Sequence, residues 1–330
     1  MEIVFSEWVA VTDASSVGEV RRAAMWAAQR LDLDETLAGE VALLAVEASR
    51  NTLVHGGGGQ VVLIGIKSSS GPLVRILAID KGAGISNIAE AMSDGYSTAG
   101  TMGGGLGAMK RIATKLEVFS GHTGTIVLIE LGNADPADKL QIAGVAVPYP
   151  GERVCGDGWC SHQTPERTLI LVADGLGHGI GAAEAAQEAI ATFKQRVNLA
   201  PAEILSYVHD SLRKTRGAVA AIAEIRPKEN SLVYAGVGNI CGVMLSEGAG
   251  RSFVSHNGTL GMTVSKIQEF HSDWPSDAIL VLHSDGLLSK WDLSPYPGLL
   301  SRHPAVIGGA LLRDFRRQRD DASVVVVKAA

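Results

Sequence analysis

The chain has 330 residues, 46% of them hydrophobic and 5% aromatic, which suits two domains of ordinary size because single cores usually stop growing before ~250–300 residues. Its 29 Lys and Arg against 35 Asp and Glu leave a net charge of −6, which excludes a broad cationic face for nucleic acid or an anionic membrane. Cys155, Cys160 and Cys241 form neither an even disulfide framework nor a C-x-x-C pair. With His162 they match no common zinc spacing.

"MEIVFSEWVAVTD" lacks the basic-then-apolar order of an export signal, and no stretch reaches the ~18 apolar residues of a membrane span. A soluble, reduced, cytoplasmic protein is the expectation. Residues 15–31, after a Ser-rich start, and 35–54 read as helices. "QVVLIGIK" and "LVRILAID" read as strands, followed by a glycine-rich stretch and a helix over 108–115. "KLEVFS" and "TIVLIEL" are two more strands, joined by "GHTG". The expected product is an α+β sandwich, a mixed sheet covered on one face.

"GNADPADKLQ" is a polar Pro- and Gly-containing break. It divides a first domain, 1–133, from a second, 142–330, with 134–141 as linker. Downstream, strands are expected at "AGVAVPY", "TLILVAD", "AVAAIAEIRP", "SLVYAGVG", "ICGVMLS", "AILVLHS" and "ASVVVVK", and helices at 181–197, 201–215 and 304–316. That alternation points to two sheets flanked by helices.

On the helix 35–54, Glu47, Asn51 and His55 recur at i, i+4 and i+8 and so share one face. An Asn amide oxygen can ligate Mg²⁺, and a Glu one turn earlier can take a proton from a hydroxyl. Three polar residues on a helix are by themselves as well explained by a solvated face. "AIDKGAGI" adds weight: Asp80 ends an apolar strand and can accept from an amino group such as that of adenine, while Gly82 and Gly84 allow a tight turn. Next, in "STAGTMGGGLGAMKR", Gly103, Gly105 and Gly107 free backbone N–H groups for phosphate oxygens at the start of the following helix.

With "EASRNTLVH", "DKGAG", "GTMGGGLG" and the "GT" at 124–125, the first domain resembles the GHKL (Bergerat) ATP-binding fold. "DGYSTAG" with "GLGAMKR" is similar to the RsbT/RsbW-like serine kinases of bacterial partner switching. The resemblance implies Glu47 as general base, Asn51 as Mg²⁺ ligand, Asp80 as adenine partner, and Gly82, Gly84, Gly103, Gly105, Gly107 and Thr125 as nucleotide contacts. It implies ATP and Mg²⁺ as cofactors and a STAS-domain antagonist protein as phospho-substrate, with sigma-factor or stressosome-type signalling components as further partners. Arg50, directly before Asn51, departs from the small polar residue of some relatives.

Asp-containing turns punctuate the second domain: Asp157 in "CGDGW", Asp174 in "VADGLGHG", Asp285 in "LHSDGL", and Asp320 and Asp321 in "RDDAS". Asp174 and Asp285 each follow an apolar run and precede Gly, so both carboxylates emerge at strand ends. Such hard oxygen donors suit Mg²⁺ or Mn²⁺. Each Asp-Gly alone is an ordinary turn, but four such turns make a shared cation site the better explanation.

Across the second domain these motifs resemble the PPM-type Ser/Thr phosphatases of the SpoIIE/RsbX branch, an α-β-β-α sandwich. That resemblance implies two Mn²⁺ or Mg²⁺ ions held by a bridging Asp174, the Gly175 carbonyl, Asp157, Asp285 and Asp320. Asp320 is preferred to Asp321 because "DDAS" matches the family pattern with its first residue as ligand. His178 either shapes its turn or takes part in the chemistry, and His283 reads as a core residue. The combined expectation is a kinase domain joined to an opposing phosphatase domain. The alternatives are a phosphatase with a non-catalytic ATP-binding or anti-sigma-like module, and a scaffold with degenerate sites.

Overall fold

In the computed structural model, which describes residues 2–68, 70–92, 105–133, 140–246 and 248–329, the first ten described residues form a strand that the sequence reading passed over. β1 (Glu2–Val11) buries Phe5, Val9 and Val11, the period-2 pattern of a half-buried strand, and pairs antiparallel with β2 (Gly59–Ser68). Between them run α1 (Ala14–Arg30) and α2 (Glu35–Val54). The Asp13 side chain accepts from Ser15 and Ser16 backbone N–H groups at the start of α1, and that of Asp34 from Leu37 N at the start of α2. β3 (Gly71–Asp80), the one-turn α3 (Ile88–Ala91), α4 (Leu106–Ile112), β4 (Lys115–Gly121) and β5 (Gly124–Gly132) complete the segment.

The strands lie in the order β1-β2-β3-β5-β4, and every neighbouring pair is antiparallel, where a mixed sheet was expected. Val20, Ala24 and Ala27 of α1 and Val41, Leu44 and Ala48 of α2 pack on one face, against Val61, Leu63, Ile76 and Ile129. The opposite face is covered as well, contrary to the one-face expectation. Strand runs such as "VVLIGI" are apolar at both parities, and a sheet exposed on one side would alternate.

The second cover comes from far along the chain. Two units divide the protein, one comprising Met1–Pro136 and Ser301–Arg313, the other Ala137–Leu300 and Asp314–Ala330. The continuous second domain expected over 142–330 therefore yields Ser301–Arg313 to the first unit. α7 (Pro304–Phe315) is buried at every residue from Pro304 to Arg313, as a helix apolar all round must be. A Cβ at Gly309 would stand 3.2–3.4 Å from Leu77, Ile126 and Ile79, so the helix backbone lies directly on that face. Polar contacts fix its ends: the His303 N–H donates to Glu117 and Arg313 Nη2 to Thr123 Oγ1. Beside His303, Arg75 and Glu130 form a buried pair at 2.7 Å, on residues directly opposite across β3 and β5.

In the other unit β6 (Leu140–Val147), β7 (Asp157–Gln163), β8 (Thr168–Gly175), α5 (Ile180–Gln195), α6 (Pro201–Ser211), β9 (Ala218–Arg226), β10 (Ser231–Val237), β11 (Cys241–Ser246), β12 (Ala249–Phe253), β13 (Glu269–Asp273), β14 (Ile279–His283) and β15 (Ala322–Ala329) build two antiparallel sheets. Their orders are β13-β10-β9-β8-β7 and β12-β11-β14-β15-β6. Ala185, Ala189 and Phe193 of α5 and Ile204, Leu205 and Val208 of α6 cover the first sheet at Leu169, Leu171, Ala220 and Ile222. Between the sheets Trp159 lies against Gly144, and Tyr234 against Gly242. α6 stops at Ser211 and gives way to a 3₁₀ turn, Leu212–Lys214, where the sequence reading ran it to 215. Among the described residues no helix is long and apolar enough to cross a membrane.

Gly309→Val should overpack the interface of α7 with β3 and β5 and lower unfolding free energy by about 1–3 kcal/mol, although Gly is ordinarily the poorer helix former. Urea unfolding of the two proteins reads the difference, and an unchanged or raised stability contradicts the close approach.

Candidate active site

The carboxylates of the second unit meet because strand pairing brings their backbones together. Asp157 opens β7 and Asp174 sits near the end of β8, and the two are directly opposed across that antiparallel pair. Like charges so placed oppose pairing. Asp285 follows β14 after His283 and Ser284, and Asp320 and Asp321 precede β15, the partner of β14. The Gly175 N–H donates to Gly156 O at 3.1 Å, tying the end of β8 to the start of β7.

Asp157 is buried; its Oδ2 accepts from the Ser284 hydroxyl at 2.5 Å and its Oδ1 has no hydrogen-bond partner. Burial, followed by the charges of Asp157, Asp285, Asp320 and Asp321, holds the Asp174 carboxyl far above the usual carboxylate range. Burial likewise raises Asp157, against the pull of the Ser284 hydroxyl. Asp320 is raised by burial and by Asp285. At an effective dielectric of about 20, two unit charges 4 Å apart repel by about 4 kcal/mol, a large share of the ~5–15 kcal/mol that stabilises a domain. The cluster thus stays protonated or takes up cations.

Asp174, Asp285 and Asp320 line a cavity of about 390 Å³ with Leu176, Gly177 and Asn239. Asn239 Nδ2 donates to Asp285 Oδ2 at 2.8 Å. Asp321 is turned elsewhere: Oδ1 accepts from Tyr149 N at 2.8 Å, while its buried Oδ2 has no hydrogen-bond partner. Among the described residues no three His, Cys, Asp or Glu side chains converge into a ready-made cage. One or two carboxylates per ion with water completing the shell is the usual manner of Mg²⁺, and the partnerless Asp157 oxygen is an anionic donor of the right hardness.

The strand β7 was not foreseen, and Asp157 was read as a turn residue. "DGWCSHQ" opens on Asp-Gly, a pair that strands disfavour, and shows no apolar alternation, and pairing with β8 makes it a strand. Ser284, Asn239 and the structural role of Asp321 were also missed. Only Asp321 carried a signal, the doubled aspartate. His283 is fully buried, with Nδ1 at 2.8 Å from Ser284 O and Nε2 accepting from Trp291 Nε1, a satisfied core histidine. His178 is half-exposed, stacked on Tyr149 and 3.0 Å from Glu152 Oε1. The cysteines are free, and Cys160 belongs to the core.

In the first unit Glu47 and Asn51 lie half-buried on α2, with exposed His55 at its C-cap. Arg50 Nη1 pairs with Glu47 Oε1 at 3.1 Å. Asp80 ends β3, and its Oδ1 accepts from Gly82 N at 2.9 Å and Thr125 N at 3.0 Å. Burial raises its carboxyl and these donors oppose the rise. Gly84 adopts φ +79°, and a Cβ there would meet the Gly121 carbonyl. Gly105 precedes α4 and Gly107 is buried within it, since the helix spans 106–112 where 108–115 was expected. Gly103 lies outside the described residues.

Residues 164–330 match Stage II sporulation protein E (SpoIIE), and residues 10–131 match the Histidine kinase-like ATPase domain. Phosphoserine phosphatase RsbX of Bacillus subtilis (strain 168) is 28% identical over 143 residues, 42% of this chain and 69% of that protein. Serine/threonine-protein kinase RsbT of the same organism is 34% identical over 74 residues, 22% of this chain; the match spans only 56% of that kinase. A crystal structure of RsbX in complex with magnesium superposes with a TM-score of 0.52 at 18% identity, over 66% of this chain and 100% of the other, and so shares the fold. The two-sheet sandwich with its carboxylate-lined strand ends is a PPM-type phosphatase domain, and it follows a GHKL-like ATPase domain. The chain belongs to the SpoIIE family.

Unfolded carboxylates ionise near pH ~4, whereas folded Asp157 and Asp174 hold their protons to about 7 and about 9. Between those values the folded state binds more protons than the unfolded one, so stability is greatest at low pH and falls as pH rises. Chelator-treated protein should therefore lose unfolding free energy progressively between about pH 5 and 9, and millimolar Mn²⁺ should abolish the loss. A flat profile without metal contradicts the buried repulsion.

Proposed function

We propose that the chain is a partner-switching regulator that removes phosphate from Ser or Thr of a STAS-domain antagonist protein through its second unit, and phosphorylates such a protein from ATP through its first. The observation that carries the phosphatase half is the gathering of Asp157, Asp174, Asp285 and Asp320, with a buried carboxylate oxygen that has no protein partner. Asp174, the Gly175 carbonyl, Asp157, Asp285 and Asp320 would hold two Mg²⁺ or Mn²⁺ ions, with Asp174 the residue common to both. The bound ions supply Lewis acidity and a lowered pKa for water. Asn239 and Ser284 hold Asp285 and Asp157 in orientation.

In the first unit Asp80, pinned by Gly82 and Thr125 N–H donors, accepts from the adenine amino group. Gly82, Gly84, Gly103, Gly105 and Gly107 let backbone approach the nucleotide, and Asn51 ligates its Mg²⁺. Glu47 accepts the proton of the substrate hydroxyl, and catalysis is mostly positioning and charge compensation. The likeness to RsbT and to RsbX supports the pairing and a place among sigma-factor or stressosome-type signalling components of the cytoplasm. Joining both activities raises the effective concentration of each toward a shared partner.

One observation favours a second reading, in which the first unit binds ATP or a partner without catalysis: the Glu47 carboxylate is engaged by Arg50. Two variants separate the readings. Glu47→Gln should abolish phosphorylation of a candidate STAS protein with labelled ATP while keeping ATP affinity; unchanged phosphorylation overturns Glu47 as the base, and none in the unaltered protein leaves the non-catalytic reading. Asp174→Ala should lower Mn²⁺-dependent dephosphorylation at least a hundredfold, roughly the loss expected when one metal clamp is removed, and leave labelling intact. Full phosphatase turnover rejects the metal assignment.

A further inference from the structure

The cavity at the carboxylate cluster poses an electrostatic problem for any phosphorylated substrate. Its charged lining residues, Asp174, Asp285 and Asp320, are all acidic, and a phosphomonoester brings close to two further negative charges at neutral pH. Two divalent ions offset much of this. A cation fixed at the cavity rim would turn electrostatic tolerance into a directed grip, and the sequence reading identified none.

We infer that Arg216 is the residue that holds the substrate phosphate, an assignment that rests on the phosphatase reading above. Arg216 lies in the connection between α6 and β9, and the backbone on both sides of it is pinned. The Thr215 hydroxyl donates to Leu212 O at 2.8 Å and accepts from Gly217 N at 3.0 Å. The Gly217 carbonyl accepts from Leu176 N at 3.0 Å, one residue beyond Gly175. The base of the side chain is thus referenced to the turn that follows Asp174.

From there the guanidinium lies across the glycine turn that opens α5. A Cβ at Gly181 would stand 2.6 Å from its Nε and 2.9 Å from its Cζ, and one at Gly177 would stand 3.4 Å from its Nη1. Gly177 itself lines the cavity, so Nη1 stands beside a residue of the cavity wall. The absence of side chains at 177 and 181 makes the path, and Gly177 also needs its φ of +83°. Arg216 is exposed, and among the described residues no carboxylate pairs with it. A guanidinium presents a planar fork that matches two phosphoryl oxygens, which an ammonium does not. Its donors are free, and the backbone at its base is fixed by groups adjoining Asp174 and Gly175.

The test uses the full chain with Mn²⁺ and p-nitrophenyl phosphate, with inorganic phosphate as competing ligand, for the unaltered protein, Arg216→Ala, Arg216→Lys and Gly181→Ala. Arg216→Ala should raise KM and the phosphate inhibition constant together by about tenfold to a hundredfold, the range of a charge-assisted contact, with kcat altered less and the Mn²⁺ half-saturation unchanged. Arg216→Lys should fall between. Gly181→Ala, which leaves the arginine in place but puts a methyl group where its Nε lies, should move both constants in the same direction. An unchanged phosphate constant in Arg216→Ala, or a change confined to Mn²⁺ affinity, overturns the assignment. If the unaltered protein shows no turnover, the phosphatase reading fails by itself, and calorimetric titration of phosphate into the Mn²⁺-loaded proteins still decides: weaker binding to Arg216→Ala supports the role, and equal binding overturns it.

Discussion

Carboxylates forced into one another's company by strand pairing dominate the physics of the second unit. Asp157 and Asp174 face each other across β7 and β8 because the register leaves no alternative, and Asp285 and Asp320 arrive at the ends of strands paired in the facing sheet. Arg316 lends Asp157 a favourable charge, but among the described residues none of the four carboxylates forms a salt bridge. A domain stable by only ~5–15 kcal/mol tolerates such an arrangement when protons or metal ions absorb the charge. The neighbouring features follow from that constraint: Ser284 and Asn239 orient oxygens without neutralising them, and the glycine turn after Asp174 keeps the approach open.

The first unit solves a different problem with the same economy of means. Asp80 must remain an acceptor while half-buried, and two backbone donors from Gly82 and Thr125 hold it in place. Burial of its sheet on both faces depends on α7, whose residues come from beyond β14 in the chain. Arg313 of that helix also bonds Thr123 in the turn between β4 and β5 and contributes a favourable charge at Asp80. The ATPase-like unit is therefore completed by a segment that sequence order assigns to the phosphatase half.

What the sequence disclosed, and what it did not, divides along physical lines. Long periodic helices such as α1 and α2, and apolar strands such as β3 and β8, were legible because their side-chain periodicity is local. Asp174 and Asp285 stood out as candidates because an acidic residue at the end of an apolar strand is locally odd, whereas Asp320, which follows "RRQR", was singled out only by the "DDAS" pattern of the family it resembles. β7 was not, since "DGWCSHQ" becomes a strand only through its partner. The doubly buried first sheet was written in the unbroken apolar runs of β2 and β3, yet nothing near those runs says that residues 304–313 cover it. Arg216 lies 42 positions from Asp174 in the sequence, and only the folded turn brings its guanidinium to Gly177.

The gathering of anionic oxygens as a cation site is open to direct observation. Crystals of the full chain grown or soaked with Mn²⁺ and measured for anomalous scattering should give two peaks about 4 Å apart, both within bonding distance of the Asp174 carboxylate. A map with no peak at Asp174, or with manganese bound only at other positions, would contradict it.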